Sequence, residues 1–419
     1  MLVERAVTRG KALASAGRKA GILMWAPIIL DGAISGDKVN ESERIRILSQ
    51  EFTVYAFVLV SFAGMSKRRE YVNKWFHSTN ARIVVLPSLE YYGTQLLSRI
   101  AAATFVALSA ILLGLSHKVD LIIARGSVTG LPLIVASKLT GVPFLFNVLS
   151  VPFAQTESAL LGGSLEQNRV FGYIIRSADY FVLRTTDYVG VATRASAQDL
   201  IEVFGTGYQG KIVLLPFPVP DALFGYPLDI TKRDDIMLVY SGSLSGLYEF
   251  AHLIGAIEKM NRAGQHVSLV IYCSQKGRQM LKASPGAQFL TFKDQVPKRE
   301  LISALHQATA VVIPTSNRVK RILPIKAIEA MALGVPVIIS NPREPEIFLD
   351  DDTCIVVHED SAEGWREAIE RAAMSERRER IVREARAKVE AFRSTRNLSV
   401  VSNLLQNRRG KCLKDDPFS

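Results

Sequence analysis

Short runs of apolar, β-branched and aromatic residues alternate with longer amphipathic stretches along most of the chain. The short runs are almost continuously apolar, which is typical of strands covered on both faces. Helical stretches between them imply right-handed crossovers and a parallel sheet. In the first half, the predicted strands are Gly21–Ala26, Thr53–Val60, Arg82–Leu86, Leu121–Ala124, Pro143–Leu149, Asp187–Ala192 and Lys211–Leu215.

A polar, proline-rich stretch over 216–235 interrupts this alternation, and the pattern then restarts. The second set of predicted strands is Ile236–Ser241, Val267–Tyr272, Phe289–Phe292, Ala310–Pro314, Val335–Ser340 and Cys354–His358. A restart across such a joint indicates two domains instead of one large sheet. We therefore predict an α/β fold with two Rossmann-like, doubly wound domains. An amphipathic helix is predicted over 362–391.

One long apolar run, Ile100–Ser116, stands out from this pattern. At 17 residues it is at the short limit for a membrane-spanning helix, and it contains Ala, Ser and Thr. A buried helix is the favoured interpretation. The first twenty residues are charged and lack an apolar centre, so no secretory signal is predicted. We expect a cytoplasmic protein, peripheral at the inner face of the membrane at most.

The net charge of +11 is concentrated at the two ends of the chain. Arg377–Lys414 contains twelve Lys/Arg against three Asp/Glu, and Met1–Ala20 contains five against one. This distribution indicates an anionic surface as a neighbour. Nucleic acid is not the expected partner, because aromatic residues for base stacking are not interleaved with the basic ones.

Several kinds of chemistry are disfavoured by the motifs that are missing. Three cysteines are too few for a disulfide framework, and the missing C-x-x-C pair disfavours a structural zinc site. The six histidines have no metal-ligand spacing. Gly205–Ile212 nearly fits a phosphate-binding loop, but Ile212 has no hydroxyl for Mg²⁺ and Lys211 leads into a strand. No metal and no cofactor are predicted.

The most informative segment is Thr315–Glu346. A buried strand ends at Pro314, a polar loop follows, and Pro324 opens a helix that Gly334 stops. The start of such a helix suits a phosphate group. Glu329 lies one turn after Lys326, and a carboxylate can accept hydrogen bonds from both hydroxyls of a ribose. One helical turn could therefore hold the phosphate and the ribose of one nucleotide.

This segment resembles the family 4 glycosyltransferases, of glycosyltransferase group 1 type, which have the two-domain GT-B fold. The matching pattern is Pro324-x-Lys326-x-x-Glu329-Ala330-Met331-Ala332-x-Gly334-x-Pro336-Val337-Ile338. The resemblance covers about residues 20–406 and is densest after Tyr240. It implies transfer of a sugar from a nucleotide-sugar substrate, with retained configuration and no catalytic metal. It also implies two domains that face a cleft.

The implied domain plan runs along the chain in order. It comprises a basic segment 1–20, an acceptor domain 21–222, a linker 223–235, a nucleotide-sugar domain 236–388, a helix 389–408 that crosses back to the first domain, and a tail 409–419. For the donor site, the resemblance implies Glu329 as the ribose ligand, with Gly242 and Ser243 in the turn that passes the phosphates. Pro324 and Lys326 complete the predicted donor site.

Three departures from the family pattern concern the site. The first of the family's paired glutamates is replaced by Arg321, and the segment Gly242–Tyr248 lacks the usual basic pair. Arg318, Lys320 or Arg321 could replace that charge, or the donor could carry a single phosphate. Finally, no histidine follows the fifth strand of the first domain. Asn147 and Glu157 are the polar groups left there, and they are the candidate catalytic residues.

Two further positions in the first domain are candidates for the acceptor side of the cleft. Asp31 and Gly32 lie in the first strand–helix turn, and Arg125 ends a strand at an edge where ligands of open α/β sheets bind. A plain turn and a structural ion pair are the alternatives. We expect Arg125 to suit an anionic acceptor, because a guanidinium can bind it bidentately.

The leading hypothesis is a glycosyltransferase that acts on a glycan or lipid-linked acceptor in the assembly of surface polysaccharide or glycoconjugate. The basic ends and the apolar Gln95–Leu115 face would dock it to a membrane. A catalytically inactive GT-B partner protein and a GT-B nucleotide-sugar epimerase are the alternatives. The departures at Arg321 and Gly242–Tyr248 motivate the first alternative.

Overall fold

The computed structural model describes residues 19–31, 36–88, 94–148, 177–228, 235–242, 244, 249–273, 275–282, 286–296, 298–316, 323–342 and 344–407. The chain folds into two compact units. The first contains Asp37–Pro218 and the C-terminal helix from Ser394, and the second contains Val219–Arg393.

A parallel β-sheet forms the centre of each unit. The first sheet has the order β3-β2-β1-β4-β5-β6-β7, and the second has the order β10-β9-β8-β11-β12-β13. The strands are β1 Gly21–Ile29, β2 Thr53–Ser61, β3 Arg82–Ser88, β4 Leu121–Ala124, β5 Phe144–Val148, β6 Tyr188–Val191, β7 Ile212–Leu214, β8 Ile236–Ser241, β9 Val267–Tyr272, β10 Leu290–Lys293, β11 Ala310–Pro314, β12 Val337–Ser340 and β13 Ile355–Val357. The predicted α/β fold with two doubly wound domains is confirmed.

Helices cover the sheets. They are α1 Gly36–Glu51, α2 Arg68–Phe76, α3 Thr94–Leu115, α4 Ser127–Thr140, α5 over 177–185, α6 Arg194–Phe204, α7 Asp221–Phe224, α8 Ala251–Arg262, α9 Gln275–Lys282, α10 Lys298–His306, α11 Ile325–Leu333, α12 Ala362–Ala373, α13 Ser375–Lys388 and α14 Ser394–Asn407. Because helices pack on both faces, even the alternate residues of a central strand such as β2 are buried.

Helix α14 packs on the first sheet. Its Leu398, Val401 and Leu404 join the apolar layer on one face of that sheet. The Arg44 side chain of α1 is almost completely buried there, and its Nε donates to Asn397 Oδ1 at 3.3 Å. The last helix is therefore part of the first unit's core. Where the chain enters and leaves the second unit, Val219 N donates to Phe392 O at 2.8 Å.

The single helix predicted over 362–391 is wrong. Helix α12 ends at Ala373, Met374 has an extended backbone (φ −72°, ψ 115°), and α13 follows. The two helices make different anchoring contacts. Trp365 of α12 is buried in the core, whereas Arg378 of α13 donates to the carbonyls of Ala308 and Thr309 at 3.1 and 2.5 Å. The break at Met374 therefore separates two helices with different anchoring contacts.

The prediction that the Ile100–Ser116 run is buried holds for only one side of α3. Ala103, Val106 and Ala110 lie in the core, but the opposite side is exposed. Leu108 and Leu112 on that side are 57 % and 70 % exposed. In the described parts of the chain, none of the helices is both long and apolar enough to cross a membrane.

Candidate functional site

The predicted phosphate-binding helix forms with the bounds expected from the sequence. Helix α11 is Ile325–Leu333, and Pro324 precedes it in an extended conformation (φ −76°, ψ 98°). Proline suits this position, because a helix start leaves amide groups without an intrahelical partner and proline has no amide hydrogen to lose. The amide groups of the first turn and the helix dipole favour an anion at this end.

The other end of α11 is fixed by a glycine and an arginine. Gly334 has a left-handed backbone (φ 81°), and a Cβ there would lie 2.5 Å from Leu228 Cδ2. Arg386 donates from Nη2 to Leu333 O at 2.9 Å and so satisfies a carbonyl at the helix end. Six of the nine helical residues are buried. The helix is therefore a rigid support for the side chains at its start.

A lysine, a tyrosine and a glycine meet at the carboxyl end of β8. Lys326 Nζ donates to Tyr240 Oη at 2.8 Å and lies 4.1 Å from the centre of the Tyr240 ring. Gly242 has φ 143°, and a Cβ there would lie 2.6 Å from Lys326 Nζ. The ammonium therefore occupies the space that any side chain at position 242 would need. The structure brings together two of the predicted donor residues, Gly242 and Lys326.

The electrostatics of this group depend on burial. Burial lowers the pKa of Lys326 to about 7, and the negative charge of Glu329 partly opposes this shift. A buried ammonium is costly unless it is paired, so an incoming phosphate would stabilise the charged form. Glu329 lies on the same helix, one turn on, and is partly exposed. A cation and an acceptor-only carboxylate are thus available side by side.

Hydrogen bonds tie the chain segments at this edge of the second sheet. Glu249, at the end of the segment after β8, accepts from Ser316 Oγ at 2.5 Å, and its N–H donates to Pro314 O at 2.8 Å. After β12, Asn341 Nδ2 donates to Thr315 O at 3.0 Å. The carboxyl ends of β8, β11 and β12 are therefore held together. This edge is where open α/β sheets bind their ligands.

The first unit carries a different polar cluster at the carboxyl ends of β1 and β2. Asp31 accepts from the Ser61 backbone N–H at 2.9 Å and from the Ser61 hydroxyl. Although burial acts to raise the pKa of Asp31, these hydrogen bonds and the charge of Lys38 outweigh it, and the pKa is lowered. Burial lowers the pKa of Lys38 to about 8 against the attraction of Asp31. The Asp31 carboxylate is thus held by Ser61.

The predicted acceptor residue Arg125 lies close to a second arginine. It follows β4 and is partly buried, and its charge adds to burial in lowering the pKa of Arg44. Arg44 donates from Nη1 to Glu41 Oε1 at 3.2 Å and from Nη2 to Pro216 O at 3.3 Å. Arg44 is therefore paired with Glu41 inside the first unit, and Arg125 lies beside this pair.

The remaining predicted site residues divide into those within and those outside the described part of the chain. Asn147 lies on β5, is buried, and pairs in register with Gly190 of β6. Four candidates lie outside the described residues: Gly32, Glu157, Ser243 and Arg321. The same is true of Arg318 and Lys320. Among the residues that are described, no group of three His, Cys, Asp or Glu could hold a metal ion.

Sequence reasoning missed Tyr240, Ser61 and Lys38 as members of these clusters. Tyr240 is completely buried and packs edge-on against Phe250, with ring centres 4.9 Å apart. Its run of apolar neighbours marks it as a core residue, and nothing in the spacing to Lys326 reveals the contact. One sequence signal could have indicated Tyr240 as a site residue: it lies two residues before a glycine, at the end of a predicted strand.

Residues 235–374 match the family model described as "Glycosyl transferases group 1". This match covers most of the second unit, including β8 and α11. The resemblance to group 1 glycosyltransferases is therefore confirmed, and assignment to family 4 within the group stays a prediction. A comparison with curated proteins finds no match.

Solved structures extend the similarity to both units. Sucrose-phosphate synthase from Thermosynechococcus elongatus aligns with a TM-score of 0.72 at 15% identity, over 93% of this chain and 99% of that chain. A glycosyltransferase from Rickettsia africae gives 0.66 at 14%, over 94% and 100%. Anabaena HepE in complex with UDP and glucose gives 0.65 at 14%, over 91% and 98%. The chain therefore has the GT-B fold, and its segment 235–374 is similar to the group 1 glycosyltransferases.

Proposed function

We propose that the protein transfers a sugar from a nucleoside-diphosphate sugar to a glycan or lipid-linked acceptor, with retained configuration and without a catalytic metal. The observation that carries the donor half is the contact of Lys326 with Tyr240 and Gly242 at the start of α11. It lies inside the segment that matches the group 1 family.

In this proposal, the donor phosphates bind at the start of α11. Lys326 supplies a full positive charge, and the first amide groups of the helix supply hydrogen bonds. Lys326 thus replaces the basic pair that is missing from Gly242–Tyr248. Glu329 accepts hydrogen bonds from the ribose hydroxyls. The Anabaena HepE complexes with UDP and UDP-glucose support a uridine nucleotide as the first donor to test.

The acceptor half of the proposal rests on the first unit. Asp31 is ionised at neutral pH and fixed by Ser61, so it can accept hydrogen bonds from a sugar hydroxyl. Arg125, which is partly buried beside Arg44, provides positive charge for an anionic acceptor. We further propose a role in the assembly of surface polysaccharide or glycoconjugate at the cytoplasmic face of a membrane, which the basic ends of the chain support.

The test is thermal unfolding with UDP, GDP, ADP, TDP and CMP, compared between the wild type and Glu329→Ala. We expect one nucleoside diphosphate to raise the Tm of the wild type and to have a much smaller effect on the variant. Glu370→Ala, which removes a carboxylate from α12 in the same unit, is the matched control and should respond like the wild type. Stabilisation by CMP alone would instead favour a donor with one phosphate.

The two alternative functions give different outcomes. An inactive partner protein would bind none of the nucleotides, or would bind without releasing sugar from any nucleotide sugar. An epimerase would convert the sugar of the donor into its epimer without an acceptor. Chromatography of the nucleotide sugar would then show a new species of unchanged mass. Transfer to an added membrane-extract acceptor, with release of the nucleotide, is the result that the proposal requires.

A further inference from the structure

The outer side of α3 is unusually apolar for an exposed helix face. From Ala101 to Leu115 the sequence has no charged residue, a length of about 22 Å in a helix. Phe105, Leu108, Leu112 and Leu115 are between 50 % and 70 % exposed along this face. An exposed helix of a soluble domain normally presents charged residues on its outer face.

The apolar surface continues onto the neighbouring helices. Helices α3, α4 and α5 pack on the same face of the first sheet, because Val106, Leu133 and Val182 share one core. On the outer side, Val135 and Leu139 of α4 are 57 % and 66 % exposed. Phe181 of α5 is 53 % exposed. We call the exposed side chains of these three helices the α3–α5 surface.

Three hydroxyl groups on this surface bond to their own helices. Thr104 Oγ1 donates to Ile100 O at 2.9 Å, and Ser109 Oγ donates to Phe105 O at 3.0 Å. Thr185 Oγ1 donates to Phe181 O at 2.5 Å. Because each donor is already bonded, transferring these groups out of water costs much less than transferring a free hydroxyl.

Charge on and beside the α3–α5 surface is mainly positive. Neither α3 nor α4 contains Asp or Glu, and Asp179 of α5 is buried. Lys118 and Arg184 are exposed, and the Lys138 side chain is 55 % exposed and lies 3.6 Å from Asp187. Cations at the edge of an apolar face match an interface whose centre is hydrocarbon and whose surface is anionic.

We infer that the α3–α5 surface inserts its apolar side chains into the headgroup region of an anionic phospholipid bilayer, so that the first unit lies on the membrane. The inference goes beyond the proposed donor chemistry, since it involves no residue of the donor cluster. It also extends the docking face predicted at Gln95–Leu115 to the exposed side chains of α4 and α5.

A lipid fits this surface better than a protein partner does. A protein interface carries about one hydrogen bond per 100–200 Å² and is enriched in aromatic and arginine anchors. Here the outer side of α3 offers one aromatic side chain, Phe105, and otherwise aliphatic ones, without an arginine between Ala101 and Leu115, and its hydroxyl donors are turned to the helix backbone. Acyl chains need no hydrogen-bond partner, and anionic headgroups pair with the lysines at the edge.

The test is co-flotation of the full chain with vesicles of phosphatidylcholine and phosphatidylglycerol, without nucleotide or sugar acceptor. We expect Leu108→Glu/Leu112→Glu to weaken binding by about tenfold or more, because two apolar contacts are lost and two negative charges face the headgroups. The matched control is Leu349→Glu/Met374→Glu, which adds the same charge at exposed apolar positions of the second unit. It should bind almost as the wild type does.

A second variant tests insertion directly and perturbs folding little, because Leu112 is 70 % exposed. Leu112→Trp should bind vesicles more tightly and shift its added fluorescence to shorter wavelength. Equal binding by the two double-glutamate variants would overturn the inference, as would an unshifted Leu112→Trp spectrum on bound protein. A wild-type dimer that dissociates in Leu108→Glu/Leu112→Glu, with no vesicle binding by the wild type, would assign the surface to a second copy. Because no sugar donor is present, none of these outcomes depends on the proposed transfer.

Discussion

The two sheets place a lysine near the carboxyl ends of equivalent strands, and the two lysines have different neighbours. Strand β1 lies between β2 and β4, and β8 lies between β9 and β11. Near β1, Lys38 faces the carboxylate of Asp31, which Ser61 fixes. Near β8, Lys326 donates to the neutral phenol of Tyr240 and lies over its ring.

This difference indicates which of the two sheet edges is better suited to bind an anion. Burial lowers the pKa of both lysines, to about 8 for Lys38 and about 7 for Lys326. An anion that approaches Lys38 also meets the Asp31 carboxylate and is repelled by it. Lys326 also has a carboxylate neighbour, Glu329, one helical turn away, but its Nζ bonds to a phenol and lies at the start of a helix, where the amide groups favour an anion. The edge near β8 is therefore better suited to an anion than the edge near β1.

The largest expected effect separates the two lysines. Lys326→Met should weaken binding of the stabilising nucleoside diphosphate by about a hundredfold, because a charge-assisted hydrogen bond to phosphate is worth about 1.5–3 kcal/mol. Lys38→Met, which removes a buried lysine from the first unit, should leave the affinity unchanged. Calorimetric titration measures both. Equal losses of affinity in the two variants would show that the two lysines do not differ in nucleotide binding.

The next effect concerns the space that Lys326 occupies. Gly242→Ala should weaken nucleotide binding by about thirtyfold, equivalent to about 2 kcal/mol, since the new Cβ lies 2.6 Å from the ammonium. The backbone at φ 143° also disfavours alanine. Gly225→Ala in the same unit is the control, because its Cβ would make only an ordinary contact of 3.6 Å. An unaltered affinity in Gly242→Ala would show that the ammonium can move without loss.

The pH dependence of nucleotide binding tests whether the charge of Lys326 contributes to affinity. Bound phosphate favours the charged form of Lys326, so a proton is taken up on binding above the pKa of about 7. Affinity for a nucleoside-diphosphate sugar should therefore fall about tenfold between about pH 6 and pH 8. Lys326→Arg stays charged and should show a flat profile in the same titration. A flat wild-type profile would contradict the assignment of Lys326 to the phosphates.

The smallest effect tests the phenol itself. Tyr240→Phe keeps the ring under the ammonium but removes the oxygen that accepts its hydrogen bond. We expect about a threefold loss of nucleotide affinity and a shift of the pH profile to lower pH, because the charged form of Lys326 loses a partner. Tyr272→Phe, at the end of the neighbouring strand β9, is the control. An unchanged pH profile in Tyr240→Phe would show that the aromatic ring, and not the hydroxyl, stabilises the charged form of Lys326.

Much of the fold could be predicted from local patterns. Strands β4, β8, β9 and β11 have the predicted bounds, because strands covered on both faces appear as continuous apolar runs. Helix α11 was predicted from Pro324 to Gly334 for the same kind of local reason, since proline starts a helix and a left-handed glycine ends one. The break at Met374 was not predicted, and α3 was predicted both as a buried helix and as a docking face, because periodicity does not show which face of a helix remains uncovered.

Local sequence patterns are enough to predict the two-domain α/β architecture and the segment that is similar to group 1 glycosyltransferases, because both depend on residues close together in the chain. The contact of Lys326 with Tyr240, 86 residues away, and the space that Gly242 leaves for its ammonium depend on the tertiary structure. It also decided that Lys38 faces Asp31 and that the outer side of α3 is open. These properties depend on which strand ends lie together and which helix faces are covered, and no spacing along the chain encodes them directly.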